Sequence, residues 1–102
     1  MGKDHRQNTD DKNQVKQAGK DEKFARIREL EDIIAVMESE AGRRFIWRIL
    51  VESGKDTCNF TGNSFVYYNE GKRYVGVWTE KELKEASLDL YFLMLKEAHT
   101  NI

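Results

Sequence analysis

Six apolar residues, Phe24, Ile27, Leu30, Ile33, Ile34 and Met37, recur at steps of three, three, three, one and three. That spacing aligns side chains along one face of an α-helix and along neither face of a strand. It predicts a first helix over about 22–38, with Asp21 as its N-cap and with Asp21 and Glu22 placed where acids interact well with the helix dipole. No proline interrupts this pattern or any other part of the chain. Average usage would give about five in this length, so their absence favours long uninterrupted helices over turn-rich sheet.

Ser39 is suited to cap a second helix, about 40–53, and Gly54 to supply the left-handed residue that ends it. At about 100° per residue, Phe45, Ile46, Ile49 and Leu50 fall within an arc of roughly 140°, which is the expected core face. Arg44 and Arg48 project from the opposite side, each four residues from an acid, Glu40 and Glu52 respectively. Trp47 and Val51 lie on a flank shared with Arg43, and Trp47 is free to face either the core or a partner. Residues 55–63, KDTCNFTGN, read as a loop rich in turn formers and anchored by Phe60, with Asn63 or Ser64 as the next cap.

The stretch SFVYYNEGKRYVGVW, residues 64–78, is locally ambiguous. β-Branched and aromatic residues flank an Asn-Glu-Gly-Lys sequence, and by themselves they read as a β-hairpin. Gly71 and Gly76 suit a turn, or the close approach of another helix. Beyond them, Leu88, Tyr91, Phe92, Met94, Leu95 and Ala98 share one side of a last helix, while Leu90 and Leu93 point elsewhere. Two leucines outside the main face imply a helix packed on two sides or a contact to another chain.

The first twenty residues contain only Met1, Val15 and Ala18 as apolar side chains. They are expected to form a disordered polar arm, leaving residues 21–102 as a single small domain whose core is marginal without a partner or a second copy. Formal net charge is −1, so no global field draws the protein to nucleic acid or acidic lipid. One cysteine, Cys58, excludes an intrachain disulfide and fits a reducing compartment. The two histidines, His5 and His99, sit at opposite ends of the sequence and suggest no metal cluster. The longest apolar run, Tyr91 to Leu95, is too short to span a bilayer, and the polar N-terminus does not read as a signal peptide. The run from Ser53 to Thr57 lacks the first glycine of a phosphate loop, Ile49 standing in its place, and Gly54 is better read as a helix stop. No nucleophile with a positioned base is indicated, and no cofactor is expected.

Three motifs occur in order: Gly42-Arg43-Arg44-Phe45-Ile46-Trp47, then Phe60-Thr61-Gly62-Asn63, then Asn69-Glu70-Gly71-Lys72-Arg73 followed by Val75-Gly76. Over about residues 36–98 the chain resembles a family of small proteins of tailed bacteriophages, chiefly short-tailed ones. These carry a Gly-Arg-Arg-Phe-Leu-Trp helix and an Asn-Glu-Gly-Arg-Arg segment. In that family the second motif usually continues with leucine and alanine at helical spacing, whereas Tyr74, Val77, Trp78 and Thr79 stand here. The resemblance implies that 64–86 is helical, that the last helix, about 88–98, starts after a break near Ser87, and that the protein is virion-associated or assembly-related. It implies no catalytic residues.

The expectation is therefore an all-α bundle of three or four helices behind the arm, with a β-hairpin at 64–78 as the alternative. Its expected role is non-enzymatic: contacts with a phage or host protein in virion assembly, in the host bacterial cytoplasm or the particle. Arg43, Arg44, Trp47, Arg48, Lys72, Arg73, Leu90 and Leu93 are the candidate contact residues, homo-oligomers are an option, and an Arg44–Glu70 ion pair is expected to fix the two motif helices together. The alternatives are an inhibitor of a host enzyme and, disfavoured by the charge, a nucleic-acid-binding module using the arginine face.

Overall fold

The computed structural model describes residues 2–57 and 65–100, with side chains from residue 12 onward. Four helices follow one another: α1 (Gly2–Met37), α2 (Glu40–Ser53), α3 (Phe65–Ala86) and α4 (Leu88–Thr100). Among the described residues there is no strand, so the all-α expectation stands and the hairpin alternative does not. The expected cap at Asn63 or Ser64, the anchor Phe60 and Cys58 lie outside the described residues.

Local signals set three of the helix ends. Ser39, in extended conformation, accepts a hydrogen bond from the Gly42 backbone N–H at 2.9 Å and so caps α2. Gly54 closes α2 at φ 67°, its N–H donating to the Val51 carbonyl at 3.1 Å. Ser87 accepts from the Leu90 N–H at 3.2 Å and starts α4 after the break.

At the N-terminus α1 begins earlier than the spacing predicts: residues 2–21 are continuous with it, and Asp21, expected as a cap, lies inside the helix and accepts from Gln17 at 3.1 Å. Lys, Gln, Asp and Glu side chains need no tertiary partner to tolerate helical backbone, and no proline stops the helix from propagating. Residues 12–25 are all exposed. The first side chain of α1 to be partly covered is Arg26, and Phe24 and Ile27, expected on the core face, stay 67% and 50% exposed.

The core is small. Met37, Leu50, Leu83, Tyr91 and Met94 are the buried hydrophobic residues, one each from α1, α2 and α3 and two from α4. Ile33, Ile46, Trp47, Leu90 and Leu95 pack around them partly covered. On α2 the buried positions are Arg43, Leu50 and Ser53, with Ile46 and Trp47 between them. This face is rotated by about 70° from the expected one, toward the Trp47 flank. Phe45, expected inside, is 57% exposed. On α3 the covered side carries Gly76 and Leu83. A Cβ on Gly76 would lie 1.9 Å from Ser53 Oγ and 2.6 Å from Ser53 Cβ, so here the glycine admits a neighbouring helix at short range.

The resulting body measures 72 × 39 × 16 Å. A 36-residue helix is about 54 Å long, so α1 accounts for most of the length. The short axis leaves little depth for a core. Accessible surface is 8266 Å², against about 6,000 Å² for a compact monomer of this mass.

Candidate protein-contact surfaces

Arg43 ties three helices together. Its Nη1 donates to the Met37 carbonyl at 2.8 Å and the Glu38 carbonyl at 3.0 Å, at the C-terminal end of α1 where the helix leaves acceptors unsatisfied. Its Nε and Nη2 form a two-pronged pair with Glu97 of α4, at 2.5 and 3.1 Å. The hydrogen bond to Glu97 raises the Arg43 pKa further above its usual value, and the same bond holds the Glu97 carboxyl below the ordinary range. Arg43 was a candidate for partner contact; the structure commits its donors to the fold.

The expected Arg44–Glu70 pair is absent among the described residues. Arg44 faces Glu40 on its own helix at 3.0 Å, and Glu70 lies 3.8 Å from Arg73 on α3. The two motif helices meet instead at Ser53 and Gly76, because the rotation of α2 turns Arg44 outward.

Two further ionic clusters join the helices. Lys55, 10% exposed at its side chain, reaches Asp56 at 2.8 Å and Glu80 at 2.6 Å, and Glu80 also holds Lys84 at 2.8 Å. Burial disfavours the Lys55 ammonium, but its bonds to Asp56 and Glu80 outweigh that and raise its pKa. Hydrogen bonds from Lys55 and then Lys84 lower that of Glu80. Lys84 in turn lies over the Tyr91 ring, 5.3 Å from its centroid, and burial pushes the Tyr91 phenol up. Arg26 binds Glu82, Glu85 and Glu29, linking α1 to the end of α3. None of these long-range partners has a sequence signature, since residues 26 and 82, or 43 and 97, are brought together by tertiary packing alone.

The remaining candidate residues divide. Trp47 packs against the core, its ring 6.3 Å from that of His99, and together with Arg44, Arg48, Met94 and Ala98 it lines an open groove between α2 and α4. Arg48 is exposed there. Lys72 sits 5.8 Å from the Tyr68 ring centroid, and Arg73 is half-buried beside Glu70. Leu90, expected to point away, is partly covered by the core; Leu93 is 38% exposed.

Sequence reasoning missed a different surface. A groove of about 210 Å³ between α1 and α3 is lined by Ile33, Val36, Met37, Ile46, Trp78 and Leu83, with Asp32 and Glu82 also along it. Outward from it, Tyr67, Tyr68, Tyr74, Val75 and Trp78 of α3 and Phe45 of α2 are each at least half exposed. Tyr67, Tyr74 and Trp78 fall on one face of α3, and an exposed apolar face of this kind is unusual for a monomer. The signal was in the sequence: aromatic residues on α3 outnumber the positions its one covered side can absorb.

Among the described residues, no group of three His, Cys, Asp or Glu side chains converges as a metal site, and no helix is long and apolar enough to cross a membrane. Neither family models, curated proteins nor solved structures give a match to this chain. What the fold and its surfaces define is a thin helical module with more apolar surface than its own core can cover.

Proposed function

We propose that the protein is a non-catalytic module that acts through protein contacts, as a structural or accessory component of virion assembly in a tailed bacteriophage. The observation that carries the contact role is the apolar surface: Phe45, Tyr67, Tyr68, Tyr74 and Trp78 are all more than half exposed on a body 16 Å thick. Aromatic side chains of this kind are the usual anchors of protein interfaces. The phage setting rests on the motif resemblance at Gly42 to Trp47 and Asn69 to Arg73.

Mass spectrometry of gradient-purified particles tests the reading. A fixed copy number in intact particles is the expected result. A protein found only in infected cells and never in particles overturns the assembly role in favour of a host-directed inhibitor. Retention on DNA at low salt, lost when Arg44 and Arg48 are both changed to Ala, would replace it by nucleic-acid binding.

A further inference from the structure

The outward side of α3 carries a pattern that the described residues cover only at one end, where Trp78 also lines the groove beside α1. Tyr67, Gly71, Tyr74 and Trp78 follow one another at steps of four, three and four. They fall within an arc of about 60°, on the side opposite Gly76 and Leu83. Their exposures run against the role of a core stripe: Tyr67 84%, Tyr74 68% and Trp78 51%. Gly71 stands in the middle of the stripe, and a Cβ there would meet nothing within 4 Å. Glycine in a helix interior costs up to about 1 kcal/mol against alanine, and at Gly71 no contact among the described residues requires it.

The stripe is complementary to itself. Tyr67 and Tyr74 take d positions of a heptad, and Gly71 and Trp78 take a positions. In an antiparallel pair, a of one helix meets d of the other, so Gly71 is matched with the partner's Tyr74 and Trp78 with the partner's Tyr67. Each bulky ring then faces either the notch or a single ring across the seam. The same register places Tyr68 beside the partner's Val75 on one flank, and Val77 lines the other. These six apolar side chains offer on the order of 600 Å² per copy, close to the share each partner contributes to a stable interface.

We propose that two copies of this chain pair antiparallel along the outward face of α3, with Tyr74 of each seated over the partner's Gly71. The pairing rests on the reading of the chain as a contact module and names a second copy as one of its partners.

Sedimentation equilibrium of the full chain should give a mass twice 12.0 kDa, with reversible dissociation on dilution. Gly71→Leu fills the notch without touching its own chain; it should keep the helical circular dichroism and weaken the dimer at least about tenfold. Gly71→Ala should act in the same direction more mildly, which covers the case in which the leucine variant fails to fold. Register is tested by Tyr67→Cys with Trp78→Cys in a Cys58→Ser background. The two positions lie about 16 Å apart along one helix and cannot join within a chain, so oxidation should yield a covalent dimer, and neither single cysteine should. A wild-type chain that stays monomeric at every concentration, or a Gly71→Leu variant that dimerises undiminished, overturns the pairing. Presence in particles with a monomer in solution refutes only this inference, whereas a dimer absent from particles refutes only the assembly role.

Discussion

Gly76 and Gly71 lie five residues apart on one helix, and alanine should act in opposite directions at the two. At Gly76 the new Cβ would sit 1.9 Å from Ser53 Oγ, 2.6 Å from Ser53 Cβ and 3.1 Å from Lys55 Cβ. Ser53 is buried, and its hydroxyl donates to the Leu50 carbonyl at 2.6 Å. A rotamer change could clear Oγ but not Cβ, so α2 and α3 must separate, and with them the Lys55–Glu80 pair. Removing glycine from a helix gains about 1 kcal/mol. Overpacking costs about 1–3 kcal/mol, and a clash with an atom fixed to the backbone belongs at the upper end. The net loss is then about 1–2 kcal/mol, lowering Tm by about 4–16 °C for a domain of this size. At Gly71 only the propensity gain applies, and Tm should rise by about 4–8 °C. Both are to be read from thermal melts followed by circular dichroism and extrapolated to low protein concentration, where self-association contributes nothing. A Gly76→Ala variant melting at or above wild type would refute the close-approach argument. A Ser53→Gly change that failed to restore part of the loss would show that the clash lies elsewhere.

Leu50 is 1% exposed at the centre of a five-residue core, so Leu50→Ala should cost about 2–5 kcal/mol, measurable by urea denaturation. So small a core can lose its cooperative transition altogether, whereas a loss under about 1 kcal/mol would mean that the centre of packing has been misplaced. Acid should unfold the protein through three carboxyls. Hydrogen bonds from Lys55, Arg26 and Arg43 hold Glu80, Glu82 and Glu97 respectively below the ordinary 4.5. Because the unfolded chain then binds protons more readily, their stabilisation is complete above the unfolded value and lost as pH falls through the folded values. Tm should therefore hold steady from neutrality to about pH 5 and fall steeply below it. Glu97→Gln should lower Tm at neutral pH and flatten the acid fall, and an unchanged acid profile would show that the Arg43 pair is not coupled to folding.

Much of the fold was legible because the signals are local. Spacing at Phe24 to Met37, a serine cap at Ser39, a glycine stop at Gly54 and the absence of proline each act within a turn or two of helix, and each stands in the structure. The helical state of 65–86 was not legible from its own residues, since Tyr67, Val75 and Val77 favour strand; burial of Gly76 against α2 and of Leu83 in the shared core overrides a propensity difference of a few tenths of a kcal/mol per residue.

Which side of each helix faces inward was decided only in three dimensions. A helical wheel ranks faces by hydrophobicity, but Arg43 is buried because the end of α1 and Glu97 of α4 together accept four hydrogen bonds from its guanidinium, and Phe45 is exposed because that placement turns it out. Sequence determined where the chain becomes helix and where it stops, through interactions within a few residues. The tertiary structure decided which charges pair and which aromatics are left over, since partners such as 26 with 82 or 43 with 97 meet only after packing sets the rotation of each helix.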